Sequence, residues 1–302
     1  MKIGLALGSG AARGWAHIGI IEALEEIGLK IDVVAGCSIG AYVGSAYASG
    51  KLPELKEWAC SLTEWQVFRL LGVGFKRGGL ASGERVFAKL YEDFCASTYE
   101  DMQLPFASVA TDLYSGKEVV FNSGEVKDSI TASCAIPGLF SPVSHKGRWL
   151  VDGAVVNPVP VNQCRQLGAD FVIAVNLSAD FRPELVAHYE NEHESAQQHS
   201  DEIVERNTGG FIKQWFASEE SKTVGESASP SIMGVMSSSL EILQARVTRS
   251  RLAGEPPDIL IEPMLRDVGL LEFHRAAELS QKGADSVKRL AAQIAYQLDI
   301  RQ

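Results

Sequence analysis

The sequence predicts an α/β fold, a three-layer α/β/α arrangement around a mostly parallel central sheet. Three observations lead there. Short apolar or β-branched runs alternate with segments of helical period. Two glycine loops each follow a strand-like run and precede a helix. The chain of 302 residues, 46% hydrophobic and 22% charged, has the composition of a globular protein with a substantial core.

Taken in order, the first strand covers residues 2–8 on the apolar run Ile3 to Leu7, and the loop Gly8-Ser9-Gly10-Ala11-Ala12-Arg13-Gly14 leads into a helix over 15–27. The run Ile31 to Ala35 gives a second strand at 31–36, then Gly36-Cys37-Ser38-Ile39-Gly40 and a helix over 39–49. Helices follow at 55–60 and 83–94, the latter opening at Ser82-Gly83-Glu84-Arg85. Strands at 106–111 and 118–121 flank Tyr114-Ser115-Gly116 closely enough for an antiparallel hairpin. A helix at 125–133, a strand at 149–151, a helix at 161–167 and a strand at 170–176 complete a core spanning 1–179. Residues 180–231 read as a polar, acidic insertion or lid: positions 181–229 carry ten acidic and four basic side chains, a net of −6. Phe211, Ile212, Trp215 and Phe216 form a helical stripe within it. Residues 232–302 return to order as a helix at 232–252, a strand at 258–262 and a closing helix at 272–298, completing the same domain.

Composition and overall charge argue against several functions. The net charge of −10 opposes a nucleic-acid partner and strong electrostatic attachment to an anionic membrane. The cysteines Cys37, Cys60, Cys95, Cys134 and Cys164 are odd in number and contain no C-x-x-C pair, which fits neither a disulfide framework nor a zinc site and predicts a cytoplasmic protein. No apolar run approaches the roughly 20 residues of a membrane span. Gly8, Gly10, Arg13 and Gly14 break the N-terminal apolar stretch too early for an export signal. No metal or cofactor is called for.

Ser38 is the first candidate for chemistry. G-x-S-x-G after a strand and before a helix is the form of a nucleophile elbow, where a tight turn lifts the hydroxyl clear of the backbone and Gly36 and Gly40 leave room around it. The loop at 8–14 presents backbone N–H groups at a helix start, where negative charge is favoured, so Gly10 and Ala11 can bind an oxyanion while Arg13 anchors the loop or adds positive potential. A dinucleotide-binding reading of this loop fails because Arg13 stands where the third glycine is required and Asp32 lies at the start, not the end, of the second strand. Asp152, followed by Gly153 and Ala154, ends a strand and can receive a hydroxyl proton. In isolation Asp-Gly is a common turn or cap.

Gly8–Gly14, Gly36–Gly40 and Asp152-Gly153-Ala154, in this order and spacing, resemble the patatin-like phospholipases, as does Ala132–Phe140, with Pro137 shaping a loop near the site. Residues 256–261 are similar to bacterial members of the RssA type. The resemblance covers residues 2–178. It implies a Ser–Asp dyad, with Ser38 as nucleophile and Asp152 as base. It also implies an oxyanion loop built from Gly8, Ser9, Gly10, Ala11, Arg13 and Gly14, and a fatty-acyl ester or phospholipid substrate met in transient contact with a membrane surface. Ser9 and Ala154 stand where the family often has glycine, and both are small.

A triad is the competing arrangement. His274 alone has the Ser…Asp…His order, while His17 reads as a core or surface residue, His145 lies in a loop, and His188, His193 and His199 fall in the polar insertion. Asp112 reads as a turn residue and Cys37 as packing beside the elbow. Two other functions share these residues: a catalytically weak or inactive module that binds a partner, and an acyl thioesterase.

Overall fold

Strand β1 (Ile3–Leu7) sets the layering. Ile3, Leu5 and Leu7 join one hydrophobic cluster, and Ala6 joins another on the opposite face. The computed structural model describes residues 1–71, 73–76, 79–81, 83–180 and 232–298. The expected insertion, beyond Asp180, and its aromatic stripe lie outside these residues. Residues 1–180 with 247–302 form one compact unit, and 181–246 a second.

After β1 the strands are β2 (Val33–Cys37), β3 (Val73–Lys76), β4 (Gly79–Ala81), β5 (Phe106–Asp112), β6 (Glu118–Phe121), β7 (Val143–His145), β8 (Arg148–Asp152), β9 (Phe171–Val175) and β10 (Ile259–Ile261). The helices are α1 (Ala16–Glu26), α2 (Ile39–Ala48), α3 (Leu52–Cys60), α4 (Glu64–Leu71), α5 (Glu84–Lys89), α6 (Lys127–Ser133), α7 (Val161–Gln166), α8 (Ile232–Gly254) and α9 (Ala276–Gln297). None of the described helices is long and apolar enough to cross a membrane.

The eight-stranded central sheet is mixed. β10, β9, β1, β2 and β5 are parallel neighbours in that order, while β6 and β8 run antiparallel to β5 and β7 runs antiparallel to β8. One face carries the large residues Leu5, Leu7, Val34, Ile173 and Val175, which pack with α1, α2, α3 and α9. The other face is built from Ala6, Ala35, Ala107 and Ala174, and the small side chains let α7 approach closely. A Cβ on Gly4 would stand 2.7 Å from Ala169 Cβ and 2.9 Å from Cys164 Cβ.

Strand β5 makes the connection that matters for chemistry. Cys37 of β2 is paired with Val109, and Asp152 of β8 with Ala110, while β6 occupies Ser108 to Thr111. Because β6 overlaps the pairing of both, β2 and β8 share the opposite edge of β5. They run toward each other along it, and their C-terminal ends meet.

The structure adds elements that the sequence reading lacked. Helix α4 has a capping box: the Thr63 hydroxyl accepts from Gln66 N–H at 3.3 Å, and Gln66 Oε1 accepts from Thr63 N–H at 2.8 Å. The signal is Thr63-Glu64-Trp65-Gln66. The β3–β4 hairpin and β7 are each only three or four residues per strand, too short for periodicity to register. The expected helix 83–94 changes from α5 into a π turn at Leu90–Phe94.

Helices α1 and α9 cross where neither has a side chain. A Cβ on Gly19 would lie 1.8 Å from Ser280 O, and one on Gly283 would lie 2.1 Å from Ala16 O. Gly19→Ala therefore forces the helices apart and is expected to destabilise the protein by ~3 kcal/mol, seen as a lower thermal midpoint. An unchanged midpoint would contradict this packing.

Candidate active site

Ser38 sits between β2 and α2 with φ 56° and ψ −125°, a left-handed conformation that a non-glycine residue adopts only when its surroundings enforce it. The two flanking glycines provide that enforcement. A Cβ on Gly36 would stand 2.3 Å from Gly40 O, and one on Gly40 would stand 2.1 Å from Leu7 O. The turn thus folds onto itself and onto β1 at distances no side chain permits. The Ser38 N–H donates to Ser133 Oγ at 2.9 Å, from the last residue of α6.

Asp152 arrives from the other direction along β5. Ser38 Oγ donates to Asp152 Oδ2 at 2.6 Å, across 114 positions of sequence, and both side chains are buried. Asp152 Oδ1 accepts the Ala154 N–H at 2.8 Å, and the Asp152 carbonyl accepts from the Thr111 hydroxyl at 2.9 Å. Its own N–H donates to the Ala135 carbonyl at 2.9 Å. Gly153 has no space for a Cβ, which would lie 2.2 Å from Val109 O. Burial raises the Asp152 carboxyl from an ordinary 3.8 to about 7, against the opposing pull of its hydrogen bonds from Ser38 and Ala154.

The glycine loop commits most of its N–H groups to the scaffold. Gly8 N–H donates to Val175 O at 3.1 Å, Ser9 to Pro158 O at 2.9 Å, Ala12 to Leu270 O at 3.0 Å and Arg13 to Gly10 O at 3.1 Å. Among the described residues no acceptor meets the N–H of Gly10 or Ala11. Ala11 has φ 50° and opens a short 3₁₀ helix, Ala11–Trp15, that runs into α1. Arg13 is buried and its Nε donates to Val268 O at 2.9 Å, tying the loop to the C-terminal part of the chain. Gly14 makes room for Ile39, whose Cγ1 would be 2.1 Å from a Cβ there, so the loop and the elbow pack directly together.

Beneath the loop lies His17, wholly buried. Its Nε2–H donates to the Gly8 carbonyl at 2.8 Å, and Nδ1 has no partner. Burial lowers its pKa to about 4, so the ring is neutral at physiological pH. Ser38 and Ala11 line one cavity with Trp15, Tyr42, Phe87 and Phe140, with an empty volume of about 590 Å³ including its open mouth. Ser38 is one of few polar groups on its almost wholly apolar wall. Pro137 is exposed in the loop after α6, between Ile136 and Phe140, which both line the cavity.

Ser38 and Asp152 are in direct contact, with no imidazole between them. The triad alternative is thereby corrected: His274 Nε2 lies 3.5 Å from Glu64 Oε1, not at Asp152 or Ser38. Asp112 binds its own turn, accepting the N–H groups of Tyr114 and Ser115 on Oδ1. Cys37 is fully buried beside the elbow. The sequence reading missed Ser133 and Ala135, which hold the backbones of Ser38 and Asp152, and read His17 as a core or surface residue. The Ala132–Phe140 block was the available signal for the first two. His17 lies three residues beyond Gly14 on an otherwise apolar helix face, a weaker one.

A family model described as patatin-like phospholipase matches residues 5–165, just over half of the chain. An uncharacterized NTE family protein of Mycobacterium tuberculosis is 33% identical over an alignment of 320 positions, covering 93% of this chain and 89% of that protein. Lysophospholipase NTE1 of Pyricularia oryzae is 26% identical over 297 positions; the match takes in 93% of this chain and 18% of that much longer protein. The crystal structure of VipD from Legionella pneumophila aligns with a TM-score of 0.40 at 14% identity, covering 99% of this chain and 76% of that one.

The raised Asp152 carboxyl has a consequence for stability. The folded state holds this proton up to about pH 7, whereas the unfolded chain releases it near 3.8. Stability from this group is therefore greatest below pH 4, falls as pH rises from 4 to 7, and stays low above that. Asp152→Asn removes the buried charge and retains both contacts, its Oδ1 accepting the Ala154 N–H and its Nδ2–H donating to Ser38 Oγ. It is expected to match the wild type near pH 4 and to exceed it by roughly 4 kcal/mol above pH 7, measured by urea unfolding at both pH values. Equal stabilities at pH 8 would contradict the desolvated carboxylate.

Proposed function

The chain belongs to the patatin-like phospholipase family, and on that premise we propose that it is a serine acyl-ester hydrolase acting on phospholipids, lysophospholipids or related fatty-acyl esters. The observation that carries this reading is the buried 2.6 Å hydrogen bond from Ser38 Oγ to Asp152 Oδ2 at the wall of an apolar cavity.

In the proposed reaction the acyl chain occupies the cavity, with its carbonyl between Ser38 and the N–H groups of Gly10 and Ala11. Asp152 removes the Ser38 proton as Oγ bonds to the acyl carbon. The carbonyl π pair moves to oxygen, and the two amides hold the resulting anion. Collapse breaks the bond to the alkoxide leaving group, which takes the proton from Asp152. A water then gives its proton to Asp152 and attacks the acyl-serine. Expulsion of Ser38 Oγ, reprotonated by Asp152, releases the fatty acid.

A carboxylate of ordinary pKa is a poor base for a hydroxyl. Burial lifts Asp152 to about 7, into the range where histidine normally serves, and this supports a dyad that operates without an imidazole. The strained Ser38 backbone and the paired donors at Gly10 and Ala11 add preorganisation. The free cysteines are compatible with the proposed cytoplasmic location.

Ser38→Ala and Asp152→Ala are each expected to lower kcat/KM on a short-chain acyl ester by roughly a thousandfold or more, and Ser38→Ala should abolish labelling by a fluorophosphonate probe. Turnover unaffected by either change would remove that residue from the scheme. Absence of probe labelling in the folded wild type would favour a partner-binding role instead. The working base must be ionised, so kcat/KM should fall about tenfold per pH unit below about pH 7 and level off above it. An acid limb near pH 4 would mean that the working base titrates as an ordinary carboxyl and that burial does not raise it.

A further inference from the structure

Beyond the dyad, four strand ends gather at one end of the sheet. The C-terminal ends of β5 and β7 and the N-terminal ends of β6 and β8 lie side by side there, because β6 and β8 run antiparallel to β5, and β7 to β8. This is also the end at which β1 and β2 deliver the glycine loop and Ser38, since both are parallel to β5 in the same sheet. Two turns project beyond it. One is Leu113–Lys117; the other is the tight hairpin His145–Arg148, whose Lys146 and Gly147 both have positive φ, 48° and 76°. They are neighbours, with Leu113 N–H donating to the Trp149 carbonyl at 2.9 Å.

Their side chains are unusual for turn tips. Leu113, Tyr114 and Trp149 are 47%, 81% and 45% exposed. Lys117, Lys146 and Arg148 are exposed between them, and none forms an ion pair among the described residues. The two segments 112–117 and 143–149 contain one carboxylate, Asp112, whose Oδ1 is occupied by the Tyr114 and Ser115 N–H groups. The chain as a whole is at −10, but a nearby surface senses local charge first, and these two segments carry Lys117, Lys146 and Arg148 against Asp112 alone. Cations at the edge of a sheet commonly guard against strand pairing, but that role gives no account of Tyr114 and Trp149. Amphipathic aromatics with lysine and arginine at the same level are the chemistry that anchors proteins at a bilayer interface.

We propose that Leu113, Tyr114 and Trp149, with Lys117, Lys146 and Arg148, form a docking surface for an anionic lipid bilayer, setting the substrate-facing end of the sheet against the membrane. The inference rests on the proposed lipid-ester reading for its purpose, but its test does not use catalysis.

The experiment is co-sedimentation of the full chain carrying Ser38→Ala with two kinds of vesicle. One is phosphatidylcholine alone; the other contains about one-third phosphatidylglycerol. Binding is expected only with the anionic vesicles and should weaken as salt rises. The combined change K117E/K146E/R148E should lower the partition coefficient roughly a hundredfold, and Y114S/W149S roughly tenfold. In an otherwise wild-type chain, neither set should alter turnover of a water-soluble short-chain ester. The proposal is overturned if the chain ignores anionic vesicles, if it binds neutral ones equally, or if both sets of variants bind as well as the parent. It is also overturned if the variants change self-association in sedimentation velocity and leave vesicle binding intact, because the patch then serves a second copy of the chain. Vesicle binding by a wild type that hydrolyses no ester would sink the hydrolase reading and leave this surface standing.

Discussion

Everything at the candidate site depends on β2 and β8 meeting end to end along one edge of β5. Their paired residues, Cys37 with Val109 and Asp152 with Ala110, occupy consecutive register positions. That places Ser38, the next residue after Cys37, against the carboxylate. A single-residue slip of either strand would separate the two and turn alternate side chains to the opposite face. The junction is held by backbone as well as pairing: Ser133 Oγ takes the Ser38 N–H and the Ala135 carbonyl takes the Asp152 N–H. One short segment after α6 thereby fixes both partners.

The same burial that makes the site costly gives it its chemical character. Asp152 is stripped of water, so its ionised form is disfavoured and its basicity rises. Ser38 and Ala154 offset part of that cost through hydrogen bonds to the two carboxylate oxygens. His17, buried close by beneath the loop, is affected by the same environment in the opposite sense and is neutral at physiological pH. Its contact with the Gly8 carbonyl belongs to the loop's framework. That framework accounts for the N–H groups of Gly8, Ser9, Ala12 and Arg13 and, among the described residues, leaves Gly10 and Ala11 unengaged. The oxyanion role proposed for those two rests on what their neighbours have already committed.

Some of this was legible in the chain itself, for local reasons. The elbow was readable because G-x-S-x-G encodes its own geometry: each glycine is required where backbone approaches backbone within a few residues or against the preceding strand. Most helices and strands of the main unit fall where apolar runs and their spacing put them. Helix α4 was missed although its capping box is written in four consecutive residues, whereas β7 and the β3–β4 hairpin are too short to carry a period.

By itself the sequence determined the residue types, the two glycine turns and the alternation of strands and helices, because each is specified by interactions among near neighbours. The tertiary structure alone decided that Ser38 and Asp152, 114 positions apart, share a hydrogen bond without a histidine between them. It also decided which loop amides stay free, that Ser133 and Ala135 grip the pair, and how far the carboxyl departs from its ordinary value. These outcomes depend on strand register and on exclusion of water, which arise only when distant segments pack together.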